Sequence, residues 1–258
     1  MNFLLRSIPA VALTWTLVAC GGSGSYSVDL LLGTGTNPLG QADSFRFQVV
    51  KLGKPCVLDE PDSGHNPVTV GACTYFPPPL IPLPPPDCGT PNSAASAGTI
   101  KLVDKTEGST LGSWTSQADS ASFASSPWKA GDTITVTASG ADVPSFTLSA
   151  PALSAPSIML PASLGANHDL ALNWTPDPNA ETMDVLLNVA NRGDSISCTP
   201  PDAAGTLVID ASLLANFVSS GSIAITISRK YAATVTDGPA QVQITSFGST
   251  ETGSIAFD

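Results

Sequence analysis

The sequence predicts an all-β protein made of two tandem antiparallel β-sandwich-like domains, with one short helix. Three observations carry this reading. Apolar residues recur at every second position in short runs, the period of a half-buried strand. Glycine and proline, 22 and 23 of 258 residues, punctuate those runs. Charged residues make up only 12%, about half the usual share, which leaves little material for salt-bridged helices. The 42% of apolar residues is enough for a core.

The chain opens with MNFLLRSIPAVALTWTLVACGGSGS. Arg6 supplies a positive n-region. The apolar run that follows has the length of a signal h-region and falls short of a membrane span. Leu17-Val18-Ala19-Cys20 resembles the lipobox of bacterial lipoproteins, where the signal is cut before the cysteine and its sulfur is acylated. The resemblance implies a signal peptide over 1–19, lipidation at Cys20, and a flexible tether over 20–25. Several acyl chains on one residue, at roughly 0.8 kcal/mol per buried methylene, anchor stably where one would not. Gly21, in place of an aspartate, implies the outer membrane rather than the inner by the sorting rule of enteric bacteria. Loss of Arg6 leaves a formal charge of 9 − 21 = −12, so no nucleic-acid partner is expected. The membrane is expected to be met through the lipid alone.

The first domain is expected over 26–150. YSVDLLL, FRFQVVK, PVTVGACTYF, GTIKLV, DTITVTAS and PSFTLSA read as its strands. FRFQVVK places Phe45, Phe47 and Val49 on one face. DTITVTAS turns Ile134 and Val136 inward and its threonines outward. Between the third and fourth runs lies CTYFPPPLIPLPPPDC, seven prolines in sixteen residues with a cysteine at each end. Strand runs of one domain flank it on both sides, so the proline-rich stretch 73–91 is expected to be a stiff surface loop, not a domain linker.

The segment 151–163, with its prolines among small residues, reads as a short semi-rigid junction. Beyond it, over 164–258, HDLALNW, TMDVLLNV, GTLVI, SIAITISR, AQVQITSF and GSIAF form a second set of strands. Asp210 is a capping residue for ASLLANFV, whose Leu213, Leu214 and Phe217 share a helical face. Short strands in this number suggest a β-sandwich. LALNWTPDP resembles the second strand of fibronectin type III and related immunoglobulin-like domains, with Trp174 in the core-tryptophan position. That family's corner tyrosine is absent. The chain also resembles a group of uncharacterised bacterial lipoproteins, through Ala130–Phe146, Leu172–Thr175 and Cys198–Leu214. These resemblances imply a fold and a location, and no activity.

Chemistry is sought first in the cysteines. With Cys20 taken by lipid, Cys56, Cys73, Cys88 and Cys198 remain, an even number in an exported chain, so two disulfides are expected. Three connectivities are open. A polyproline stretch of fifteen steps reaches about 45 Å, and a disulfide needs its Cα atoms about 5.5 Å apart, so Cys73–Cys88 would fold a stiff loop back on itself. The pairing preferred is Cys56–Cys73 with Cys88–Cys198. Under any two-disulfide pairing, Cys198 joins the two halves of the chain. The cysteine spacings lack the close pairs of a zinc site, and no metal or other cofactor is expected.

His65 lies in a polar, acidic loop and His168 opens a strand. Neither is joined by a G-x-S-x-G elbow. Ser126–Lys129 matches S-x-x-K without its companion elements. Asp177–Glu181 mimics the start of an EF-hand loop, but Thr182 stands where glycine is required. Trp114 and Trp128 are candidates for stacking a sugar ring, weighed against a place in the core. The PxxP pattern would suit a partner class found mainly inside eukaryotic cells. No catalytic residues are identified. The expected role is a non-enzymatic, lipid-anchored envelope protein, structural or adhesive, with a glycan or envelope-protein partner. A carbohydrate-binding module is the first alternative, and a hydrolase with an unrecognised site the second.

Overall fold

The computed structural model describes residues 25–35, 43–52, 66–78, 92–115, 117–123, 127–165, 167–189, 192–217 and 221–258. The fold is all-β. In chain order the strands are β1 (Tyr26–Gly33), β2 (Ser44–Lys51), β3 (Val68–Val70), β4 (Cys73–Phe76), β5 (Ser93–Ala94), β6 (Ile100–Asp104), β7 (Ser109–Trp114), β8 (Ala118–Ser122) and β9 (Thr133–Ala138). They continue with β10 (Phe146–Pro151), β11 (Ser163–Leu164), β12 (Leu170–Asn173), β13 (Thr182–Asn188), β14 (Ser195–Cys198), β15 (Thr206–Ile209), β16 (Ser222–Asp237), β17 (Ala240–Phe247) and β18 (Glu251–Phe257). One helix, α1 (Ala211–Leu214), starts at Asp210, whose carboxylate accepts the Ser212 N–H.

Burial follows the alternation. In β1, Val28, Leu30 and Leu32 are buried, and in β2 Phe45, Phe47 and Val49 are. In β9, Ile134, Val136 and Ala138 point inward while Thr133, Thr135 and Thr137 do not. Two cores result. The first packs β1, β2 and β17 against the four-stranded sheet β10-β9-β6-β7. The second packs β4, β14, β13, the first half of β16 and β18 against the β12–β15 pair and α1. Leu213, Leu214 and Phe217 seal the helical end of that core.

The two cores do not follow one another along the chain. One twelve-stranded sheet runs through both, in the order β3-β4-β14-β13-β16-β17-β1-β2-β5, with β8, β11 and β18 attached beside it. Two exchanges make it continuous. The β3–β4 hairpin comes from between first-core strands, yet β4 pairs with β14 at the edge of the second core. From the other end of the chain, β17 pairs in parallel with β1 along all eight residues of each. The segment 151–163, expected as a junction, is packed down: Ala152 and Leu153 are buried, and Ile158 and Leu160 lie on the second core.

The last two strands continue each other. β17 pairs with β16 from Asp237↔Ala240 to Lys230↔Phe247, and β18 pairs with it from Ile227↔Glu251 to Ser222↔Ala256. Ser222–Phe257 is thus a single hairpin whose first arm has sixteen residues, about 50 Å at strand rise. Between the two ladders Gly248 N–H donates to Arg229 O, so Ser249 and Thr250 stand opposite Ser228 alone. This extra residue is a β-bulge, and it shifts the inward phase of the second arm by one. Val242 and Ile244 therefore face the first core and Ile255 the second.

Candidate functional site at the joint between the cores

The inward phase of β16 runs Ile223, Ile225, Ile227, Arg229, Tyr231. The isoleucines fill the second core and Tyr231 packs on the first. Arg229 falls where the strand passes from one core to the other, and only 4% of it is exposed. A buried guanidinium needs acceptors for five N–H groups, and the surrounding loops supply them. Nε donates to Asp202 Oδ1 at 3.0 Å. Nη1 donates to Ser154 Oγ at 2.6 Å and to Ala155 O at 2.9 Å. Nη2 donates to Thr175 O.

The acceptors are themselves held. Asp202, in a 3-10 turn over Asp202–Ala204, is fully buried. Its Oδ2 accepts the Asp177 N–H at 2.6 Å, and its carbonyl accepts Trp174 Nε1–H at 2.8 Å. Ser154 donates its hydroxyl to Asp177 Oδ2 at 2.6 Å. Gly248 admits this segment: a Cβ there would lie 2.6 Å from Ser154 O. Desolvation acts to raise the Asp177 carboxyl. Hydrogen bonds from the Ser154 hydroxyl and from the Asn179 and Ser154 N–H groups, with the charge of Arg229, outweigh it and hold the group below the usual carboxylate range.

An open cleft of about 420 Å³ lies over this network, lined by Ser154, Thr175, Asp177, Asn179 and Arg229 among others. Ser154, Asp177 and Arg229 within it are engaged with one another. Ser154 has its hydroxyl held between a carboxylate and a guanidinium, and no histidine or cysteine lines the cleft. Among the described residues no group of three histidine, cysteine or acidic side chains is placed to hold a metal ion. What the arrangement does is fix geometry. It ties β16, the 151–163 segment and the loops before β13 and β15 at one point.

Of the residues singled out from sequence, Asp177 and its neighbours Pro178 and Asn179 line this cleft, and the other described ones do not. Cys20, Cys56, Cys88, His65 and Ser126 are outside the described residues. Cys73 and Cys198 form a disulfide with Cα atoms 4.0 Å apart, which replaces both preferred pairings, Cys56–Cys73 and Cys88–Cys198. The reason is the β3–β4 hairpin. It lays Cys73 opposite Cys198 in the β4–β14 ladder. The neighbouring Thr199 N–H donates to Ala72 O, so the cysteines occupy the close, non-hydrogen-bonded kind of pair. Cys198 does join the two halves of the chain, through Cys73.

Trp128 is only 2% exposed. It packs edge-on to Phe123 and donates Nε1–H to Thr34 Oγ1, so it leaves no face for a sugar ring. Trp114 is half-buried and leans on Phe45 and Phe47, with centroids 5.3 and 6.2 Å away. Its indole also covers Gly112, where a Cβ would lie 2.3 Å from it. His168 is exposed, with its ring against Gly165. Asp177, from the EF-hand-like stretch, accepts the Asn179 N–H.

No protein-family model matches the chain, and no curated protein matches it. Among solved structures it is similar to a two-domain fibronectin type III segment of chicken tenascin. Identity is 9% over 83% of this chain and 91% of that one, with a TM-score of 0.29. A likeness at that level assigns neither function nor partner.

Proposed function

We propose that this chain is a lipid-anchored protein of the bacterial cell envelope, on the outer membrane, with a structural or adhesive role and no catalysis. The observation that carries the structural half is the joint. A single hairpin threads both cores, a buried arginine binds three further segments where it crosses, and a disulfide fastens the β3–β4 hairpin to β14. Linked β-sandwich domains joined only by a linker move relative to one another by default. Here three covalent or buried ties oppose that motion, as suits a spacer that must hold its shape. The disulfide also fits an oxidising, exported location. The lipobox-like Leu17–Cys20 supports the anchor.

The test is growth of a bacterial host expressing the full chain with a labelled fatty acid. Wild type should carry label and sediment with the outer membrane, and Cys20→Ala should lose the label and leave the membrane fraction. Label that survives Cys20→Ala would overturn the anchor.

A further inference from the structure

From the exposed end of the twelve-stranded sheet, we infer that two copies of this chain pair antiparallel through β3, about a twofold axis at Thr69, as a closed dimer. β3 is the last strand on the second-core side of the sheet. Its neighbours fix the direction of its hydrogen bonds. Thr199 N–H donates to Ala72 O, and Cys73 faces Cys198 in the same ladder. Antiparallel ladders alternate hydrogen-bonded and open pairs, so Thr74 bonds towards β14, and Cys73 and Tyr75 bond towards β3. Their partners there are Val70 and Val68. The backbone groups left over are Thr69 N–H and C=O, Pro67 C=O and Gly71 N–H, and they point away from the sheet. Among the described residues no backbone group bonds to them.

The strand's own sequence identifies the occupant. Val68-Thr69-Val70 reads the same in both directions. Laid antiparallel on a copy with Thr69 facing Thr69, it forms two bonds between those residues, one each way. Gly71 N–H then donates to the copy's Pro67 O, and the copy's Gly71 N–H to Pro67 O. The donor that proline lacks leaves only the Gly71 carbonyls unpaired, at the turn and in water. Val68 faces the copy's Val70 in the close, non-hydrogen-bonded kind of pair, where β-branched side chains stabilise a sheet. These valines are 52% and 38% exposed in the single chain. They lie on the side that carries Tyr75 and the edge of the second core.

Charge selects the same place. The chain carries a formal −11, so two copies repel over most of their surface. Residues 66–76, NPVTVGACTYF, hold no charged side chain. At the opposite end of the sheet β5 has only two residues and β8 exposes Asp119, the usual protection of an edge. Each chain has one β3, so the symmetric contact closes at two. A strand of three residues buries less than a standard interface, which makes the dimer weak and exchangeable. The pairing uses no part of the lipid anchor.

The experiment is sedimentation equilibrium of the full chain in a density-matched detergent, up to about 1 mM, the affinity scale of weak contacts. Wild type should fit a monomer–dimer equilibrium. Thr69→Pro deletes the outward N–H and fills the edge while sparing the bonds to β4. It should weaken dimerisation at least about tenfold. Two further variants keep the test independent of that proline. Val68→Lys with Val70→Lys, and Val68→Glu with Val70→Glu, should each stay monomeric, and their equimolar mixture should dimerise. A monomeric wild type, with the edge left to a strand of another protein, would overturn the inference. So would association that Thr69→Pro and the lysine pair leave unchanged, wild-type oligomers beyond two, or a mixture of the charged variants that stays monomeric.

Discussion

Replacing Arg229 with methionine removes all the guanidinium donors at the joint while keeping an unbranched apolar stem. Asp202 would then remain in a site where its side chain has no exposure, with only the Asp177 N–H on its far oxygen. Removing one partner of a buried ion pair costs about 3–5 kcal/mol, mostly because the other charge is stranded. Ser154 and the carbonyls of Ala155 and Thr175 border the open cleft, so water can replace the lost donors there and little further cost is added. Against a typical stability of about 5–15 kcal/mol, the change is large. Urea unfolding should be followed by fluorescence in chains keeping only Trp128 or only Trp174, which lie in the first and second cores. Both reporters should shift to lower urea together, because the Ser222–Phe257 hairpin belongs to both cores. Adding Asp202→Asn removes the stranded charge and should recover about 2 kcal/mol, within the usual range of coupling between contacting residues. A loss below about 1 kcal/mol, or strict additivity of the two substitutions, would refute an account in which Arg229 compensates a buried charge. A shift confined to the Trp174 reporter would refute the shared hairpin.

Three further outcomes are expected. Cys73→Ala with Cys198→Ala opens a loop of sequence separation 125, worth up to about 5 kcal/mol in the chain-entropy account; a loss of about 3–5 kcal/mol should appear in thermal unfolding, and an unchanged midpoint would contradict it. Gly112→Ala sets a Cβ 2.3 Å from the Trp114 ring, which should lift the indole off Phe45 and Phe47, cost about 1–3 kcal/mol and change the near-ultraviolet circular dichroism; a wild-type spectrum would count against that packing. Asp177 and Asp184 should show opposite pH dependence. Asp177 has its pKa lowered in the folded chain, so its contribution is full above the ordinary unfolded carboxyl range and is lost as pH falls through the lowered value. The deficit of Asp177→Asn should therefore be present at neutral pH and close on acidification. Burial raises the Asp184 carboxyl against the pull of Lys230, so its ionised form opposes folding, and Asp184→Asn should lose nothing at neutral pH. Urea midpoints at neutral and acid pH decide both, and a deficit of Asp177→Asn that grows in acid would reverse the sign argued here.

The local chemistry of this chain can be read from its residues, and the pairing of its strands cannot. Phe45, Phe47 and Val49 on one face, Ile134 and Val136 inward, Asp210 as a cap and Trp174 in a core all follow from period and residue type. The short strands β5, β7, β8 and β14 escape notice because they lack sustained alternation: β8 is ADSAS and β14 is SISC. Partner choice is a different matter. Nothing in the alternation of β1 or β17 says that residues 26 and 240 are neighbours, since alternation fixes which face is buried and not which edge is shared. The preferred disulfides failed for the same reason. Stiffness of the proline stretch weighs correctly against Cys73–Cys88, but it does not choose between the two pairings that remain, and the β3–β4 hairpin carries Cys73 to the sheet edge that holds Cys198.

The joint itself did leave a signal. SIAITISR reads as a strand that ends at a charged residue, the ordinary place for arginine. The alternation nevertheless continues beyond it, through Tyr231 and Ala233, and β16 extends to Asp237. Continued in phase with Ile223, Ile225 and Ile227, Arg229 must face inward, and a cation in that position has to find a carboxylate and several carbonyl oxygens. A strand of sixteen residues, nearly three times the usual length of about 5–6, with one arginine at the inward phase near its middle, therefore announces a boundary between two cores that the strand crosses. The carboxylate cannot be identified the same way. Asp202 sits in PPDAAG, a turn sequence whose acid would ordinarily be solvated. Only the fold, by bringing Asp177 N–H to one of its oxygens and Arg229 to the other, makes it the buried partner.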